Sequence, residues 1–269
     1  MAPLVSIVMP TYNAEPFIAE AIGSVLAQEH ENWELLIVDD ASTDGTAKVI
    51  DGFTDPRISV FHQAVNGGIG SARNVAMDHV RGNFLCTFDS DDVLPPQSLS
   101  SRVKVMIDRP EVDIVDGRVV VYERDLVRTI RTFDPTFEGE PLDELVSLRT
   151  SCFFGPTWML RWDPASTLRF NTEVTHAEDL LFYLNYAKGK RYTYVRTPVL
   201  HYRVTGYSAM SKYDGLERSY RYIERWLKER PDLASQEQVR RFDHRWRSIM
   251  FRTWLKAGKP IPAIKARFF

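Results

Sequence analysis

The chain has 269 residues, 44% of them apolar and 26% charged, the balance of a globular protein rather than a disordered or fibrous one. Its 34 Lys and Arg against 36 Asp and Glu leave a formal charge of −2, which argues against a body built for general nucleic-acid binding. No run approaches the roughly 18 apolar residues of a membrane-spanning helix, and two cysteines, Cys86 and Cys152, far apart and outside any metal-ligand spacing, do not suggest a disulfide framework.

Leu4-Val5-Ser6-Ile7-Val8-Met9 reads as a buried strand ended by Pro10. Phe17, Ile18, Ala21, Ile22, Val25 and Leu26 then recur with helical period, and Pro16 suits a first helical turn. Leu35-Leu36-Ile37-Val38 predicts a second buried strand, closed by Asp39-Asp40, and Ser42, Thr43 and Asp44 offer caps for a helix through Ala47 and Ile50. Ile58-Ser59-Val60-Phe61 predicts a third strand, Ile69, Ala72, Val75 and Ala76 a third helix, and Phe84-Leu85-Cys86-Thr87-Phe88 a fourth strand. Continuous apolar strands with helical crossovers imply a mostly parallel sheet covered on both faces, a Rossmann-like α/β unit. After Asp92 the pattern loosens into a helix near 97–106, a β-prone stretch over 112–122 and an irregular aromatic region over 123–175. Helical period returns at 178–187 and a strand at 199–203. The tail shows two stripes, Leu216, Tyr220, Ile223 and Leu227, then Val239, Phe242, Trp246, Ile249 and Trp254, separated by Pro231.

Four polar signatures fall at strand ends, where open α/β sheets bind ligands. Pro10-Thr11-Tyr12-Asn13 offers a ring that could stack on a nucleobase, or an ordinary strand-to-helix turn. In Asp39-Asp40-Ala41-Ser42-Thr43-Asp44-Gly45, residues 42–44 are expected to cap the next helix and Asp40 to point at a ligand. Asn66-Gly67-Gly68-Ile69-Gly70-Ser71-Ala72-Arg73-Asn74 sets glycines before a helix, which permits close backbone approach and favours an anion. It lacks the dinucleotide fingerprint and the Walker pattern. Asp89-Ser90-Asp91-Asp92 crowds carboxylates at the end of a buried strand, which is costly unless a cation or hydrogen bonds offset them.

Together and in this order, these signatures resemble the family 2 glycosyltransferases, inverting nucleotide-sugar enzymes of the GT-A fold. The strong resemblance covers about the first hundred residues, and Glu178-Asp179, Tyr202-Arg203 and Ser208-Ala209-Met210-Ser211 extend it to residue 211. The resemblance implies a catalytic domain over 1–211, with a nucleotide-binding half (1–100) and an acceptor half (101–211), followed by a basic helical extension over 212–269. It implies that Pro10, Tyr12 and Asn13 border the base, that Asp40 contacts it, and that Asn66, Gly68 and Arg73 line base and diphosphate. Asp89 then faces the ribose or donor sugar, Asp91 binds a divalent cation, Mg²⁺ or Mn²⁺, Asp179 is the catalytic base and Arg203 lies near the leaving diphosphate. Glu178 either orients Asp179 or favours the helix N-terminus through the macrodipole. Many members carry a His two residues beyond that Arg; here the position is Thr205, and His201 precedes Tyr202, so no His is assigned to the metal.

The implied reaction is transfer from a nucleotide sugar, a UDP-sugar first, to a saccharide or lipid-linked acceptor in bacterial surface polysaccharide synthesis. A sugar-nucleotide pyrophosphorylase ranks lower, because that class opens with a Gly-rich, basic loop where this chain has Pro10-Thr11-Tyr12-Asn13. A non-catalytic nucleotide-binding homologue ranks lower because the full set of carboxylates is present. Trp158 and Trp162 either stack on acceptor sugars or fill the core. From Glu217 onward 14 Lys and Arg face 6 Asp and Glu, so the tail is either packed helix with solvated cations or a surface that meets anionic lipid. Arg240, Arg241, Arg245, Arg247 and Arg252 among Trp246, Phe251 and Trp254 motivate the lipid reading. The opening Met1-Ala2-Pro3-Leu4 shows no secretory pattern, so the expected location is cytoplasmic, at or near the inner face of the membrane.

Overall fold

Alternation along the strands decides where every other element sits. In β1 (Val5–Thr11), Val5, Ile7 and Met9 enter one apolar core and Val8 the other. The same parity divides Leu35 and Ile37 from Leu36 and Val38 in β2 (Trp33–Asp39), and Cys86 from Leu85 in β4 (Phe84–Thr87). Both faces are therefore buried, as a parallel sheet requires. In this computed structural model, which describes residues 2–152, 155–206 and 213–268, β3 (Ile58–His62), β2, β1 and β4 run parallel in that order. The sheet continues through β7 (Met159–Arg161), antiparallel to β4, to β5 (Ile114–Tyr122) and β6 (Thr129–Phe133). Parallel to β5 lies β8 (Tyr192–Arg203).

One face is covered by α1 (Ile18–Leu26) and α4 (Ser98–Asp108), through Ile18, Ile22, Leu99 and Val103. The other is covered by α3 (Ile69–Met77), α5 (Leu142–Val146) and α6 (Glu178–Tyr186). It also carries α7 (Tyr213–Lys228), α8 (Gln236–Lys256) and α9 (Pro260–Phe268). Ile223, Phe242 and Trp246 of these last helices belong to the same core as Val8 and Leu36 of the sheet. The residues expected as an extension thus share one core with the sheet.

Several elements differ from the sequence reading. Pro10 lies inside β1 rather than ending it, opposite Val38. It is tolerated because β4 ends opposite Val8, so the missing N–H falls where no ladder runs. Within the region read as irregular, β6, α5 and β7 form, and β8 begins well before residue 199, with a register irregularity near Pro198. Ser42 and Thr43 do not cap α2 (Thr46–Ile50); Asp44 does the nearest thing, accepting from the Thr46 N–H at 3.0 Å. Trp158 and Trp162 are both buried, with Trp158 stacked on Tyr183 at 4.4 Å, so both fill the core and neither is open to a sugar. Among the described residues no helix is long and apolar enough to cross a membrane.

Candidate active site

The chemistry-bearing loops gather at the carboxyl ends of β1, β2 and β4. The first loop is locked to the second: the Asn13 N–H donates to Ser42 Oγ at 2.9 Å, and Asn13 Oδ1 accepts from the Thr43 N–H at 2.8 Å. Tyr12, beside it, is left 50% exposed, free to present its ring. The buried Asp40 carboxylate accepts from Gln63 Nε2 at 2.6 Å and from the Gly67 and Gly68 N–H groups at 2.7 and 2.8 Å, while Asn66 Nδ2 donates to the Asp40 carbonyl. Asp40 therefore anchors the Asn66-Gly67-Gly68 turn instead of projecting at a ligand. Gly68, at φ +83°, opens α3 with empty space where a Cβ would stand, so the backbone there is accessible.

At the end of β4 the carboxylates are not equivalent. Asp92 is buried and accepts from the Arg203 N–H at 2.8 Å; burial, then Asp91 and Asp89, push its carboxyl well above the usual range. Burial, with repulsion from Asp89, pushes Asp91 up to about 6. Arg203 donates through Nε to the Asp91 carbonyl at 2.7 Å, through Nη1 to the Arg124 carbonyl at 2.6 Å, and through Nη2 to Glu20. Every guanidinium nitrogen is thus engaged within the protein. In this geometry Arg203 holds the Asp91-Asp92 turn, where the resemblance would have it reach a diphosphate.

Arg73 joins the two halves. Only 1% exposed, it donates through Nη2 to Asp89 at 3.0 Å and through Nη1 to Glu178 at 2.6 Å, over the Phe170 ring. Burial works against its charge, but Asp89, Glu178 and Asp179 more than offset it, so its pKa is raised. The adjacent Asn74 grips the backbone of Phe170 from both sides, at 2.9 and 2.7 Å, so consecutive residues of α3 tie the first hundred residues to the loop before α6. Gly70 lets that loop close in, because a Cβ there would lie 2.9 Å from the Asn171 carbonyl.

Asp179 shares the attraction of Arg73 with Asp89 and Glu178, and that share is not enough to hold its charge. Burial first, then Glu178, push its carboxyl up to about 7, and Asp89 is near enough to add repulsion. The half-buried side chain accepts from the Leu180 N–H at 2.7 Å, and Gly155 passes over its other oxygen. Ala177, immediately before the pair, adopts a left-handed conformation at φ 54°, as do Asn13 and Ala41 beside the other loops. For a non-glycine residue this costs about 1–2 kcal/mol, strain of the kind that collects at functional sites.

Residues 6–169 match the Glycosyl transferase family 2 profile. The chain belongs to that family. It is 30% identical over 190 residues to an uncharacterized glycosyltransferase of Haemophilus influenzae, covering 69% of this chain and 72% of that one. It is 41% identical over 104 residues to the Escherichia coli UDP-Glc:alpha-D-GlcNAc-diphosphoundecaprenol beta-1,3-glucosyltransferase WfgD, covering 39% of this chain. The matched stretch spans only 41% of WfgD, and 43% of another relative, Bacillus subtilis TuaG. Among solved structures, S. aureus TarS 1-349 superposes with a TM-score of 0.66 at 21% identity, over 93% of this chain and 72% of that one. The Pyrobaculum calidifontis mannosyltransferase PcManGT gives 0.63 at 21% identity, over 98% and 78%. These are likenesses of fold, and the fold is the GT-A architecture expected from the sequence.

Within this family 2 chain, Asp91 is the residue whose surroundings fit a cation. Among the described residues no group of three His, Cys, Asp or Glu side chains could hold a metal by itself. Asp91 instead lies buried with Asp89 near enough to repel it, while Asp89 is held by Arg73. That donor set suits a hard ion that takes its remaining oxygens from phosphate and water. His201 stands edge-on to Tyr122 at 5.1 Å, and burial lowers its pKa. Ser208-Ala209-Met210-Ser211 lies outside the described residues. Sequence reasoning missed Gln63, Glu20 and the bracing role of Asn74. Only Gln63 carried a local signal, since it directly follows β3 at the ligand-binding edge of the sheet.

Proposed function

We propose that this protein is an inverting glycosyltransferase that moves a sugar from a UDP-sugar to a saccharide or lipid-linked saccharide. The observation that carries the reading is the Arg73 bridge, which sets Asp89 of the donor-side motif and Glu178 of the base-side motif on one guanidinium. Tyr12, Gly68 and Asp89 would border the donor, and Asp40, Asn13 and Arg203 would hold the loops that present it. Asp91 would hold Mg²⁺ or Mn²⁺, which when bound stabilises charge on the departing diphosphate. Asp179 accepts the proton of the acceptor hydroxyl as that oxygen bonds to the anomeric carbon. The bond from that carbon to the diphosphate oxygen breaks on the opposite face, inverting the centre, and the nucleoside diphosphate leaves.

Support for the donor class comes from relatives: WfgD is named for UDP-Glc, and TarS has been solved with UDP-GlcNAc. PcManGT was solved with GDP-Man and Mn²⁺, so the base is open to variation within the fold. WfgD's diphosphoundecaprenol acceptor supports a lipid-linked acceptor here. The test is a donor screen with the purified protein and Mg²⁺ or Mn²⁺, reading nucleoside diphosphate release and the anomeric configuration of the product. UDP release with inversion, lost in Asp179→Asn, is expected. Retention of configuration, undiminished turnover in Asp179→Asn, or net synthesis of nucleotide sugar from sugar phosphate would overturn the reading.

A further inference from the structure

The last helix presents a face that no described residue covers. Ala263 and Ala266 of α9 are fully buried, and these small residues let the helix lie close on the core. Its other side exposes Ile261 by 68%, Ile264 by 51% and Phe268 by 70%. At 100° per residue these three fall within about 60° around the helix, with Lys265 on one flank and Arg267 on the other. The direction of α9 is set by a tight turn: Gly258 is left-handed at φ +71°, its N–H donates to Leu255 O at 3.0 Å, and the Lys259 N–H donates to Trp254 O at 2.9 Å. After Asp243 the sequence holds seven Lys and Arg and no Asp or Glu.

We propose that α9 docks on the surface of an anionic lipid bilayer, with Ile261, Ile264 and Phe268 inserted among the acyl chains and the flanking cations on the headgroups. An apolar stripe edged by cations is the arrangement that binds such a surface in the plane of the interface. A second copy of the chain fits worse, because two such faces would bring cations against cations with no carboxylate between them. The aromatic residues of α8 that the sequence offered for this role do not serve it, since Trp246 and Trp254 are buried against the core. The inference stands apart from the transferase reading and survives its failure.

The full chain is mixed with vesicles of phosphatidylcholine alone and of phosphatidylcholine with phosphatidylglycerol, then floated. Recovery with the anionic vesicles only, falling as salt rises, is expected. Replacing Lys265 by Gln should lower the partition constant about fivefold, the share of one basic residue near such a surface. The doubly substituted Ile264→Asp, Phe268→Asp protein should stay in the unbound fraction with its melting temperature unchanged, since both side chains are exposed. Asp179→Asn should float as the unsubstituted chain does. Equal recovery on both vesicle types, no recovery on either, or undiminished flotation of the double variant overturns the proposal. So does a dimer in sedimentation equilibrium that the double variant dissolves.

Discussion

Replacing Arg73 by Met tests whether the two halves of the site are joined as described. The guanidinium is 1% exposed and carries bonds of 2.6 Å to Glu178 and 3.0 Å to Asp89. Met fills most of the volume and forfeits nothing at Nε, which has no hydrogen-bond partner. The loss therefore falls on the two carboxylates. Asp89, whose side chain is 29% exposed, can rehydrate, whereas Glu178, at 9%, is left charged and unmatched inside the protein. Breaking a buried pair in this way costs about 3–5 kcal/mol, a large share of the about 5–15 kcal/mol that holds a native domain together. For a chain of this size that lowers the melting temperature by about 6–20 °C. Adding Glu178→Gln to the same chain removes the orphaned charge and should restore a substantial part of the loss, which urea denaturation of the four proteins in a double-mutant cycle would measure. An Arg73→Met protein melting within about 2 °C of the parent, but with a raised KM for donor, would refute the bridge and return Arg73 to the diphosphate.

Asp179 predicts opposite pH responses of rate and stability. In the proposed mechanism its ionised form takes the acceptor proton, so the transfer rate should climb with pH through about 7 and then level. The folded chain keeps this proton from the ordinary value of 3.8 up to about 7, while the unfolded chain has released it. The contribution therefore destabilises as pH rises through that window. Asp179→Asn should accordingly lose less stability between pH 5 and pH 8 than the parent in urea titrations, and parallel profiles would remove the shift from this residue. Mn²⁺ with nucleoside diphosphate should raise the melting temperature more at a pH above the value of about 6 for Asp91 than below it, because the cation takes the ionised carboxylate. Asp91→Asn should abolish that increment in differential scanning fluorimetry, and an increment that persists would move the cation elsewhere.

The first hundred residues were legible because their strands are mostly apolar runs and their motifs are contiguous. Val5 to Met9, Leu35 to Val38 and Phe84 to Thr87 each declare a strand without help from elsewhere. By contrast, β7 is three residues, Met159-Leu160-Arg161, and is a strand only because β4 and β5 pair with it on either side. In β8, Arg196, Thr197 and Pro198 interrupt the apolar pattern, and the ladder tolerates them through a register shift. The site divides in the same way. Which residues are polar at the strand ends could be read locally. That Arg73 and Arg203 face inward could not, because their carboxylate partners Glu178 and Glu20 are 105 and 183 residues away in sequence. Asp40 shows the limit most plainly: its position at a strand tip is a sequence property, but its occupation by Gly67 and Gly68 depends on how a later turn folds back.

The core shared by the sheet and the last three helices has a bearing on how such proteins diversify. Phe242 and Trp246 of α8 belong to the same apolar core as Leu180 and Leu181, the residues that follow Glu178-Asp179 in α6. Exchanging these helices between homologues would therefore disturb the seating of Glu178 and Asp179, unless the layer were exchanged with them. Variation in what the protein meets at its surface is cheaper on the outward side of α9, where a residue can change without any neighbour beneath it having to move.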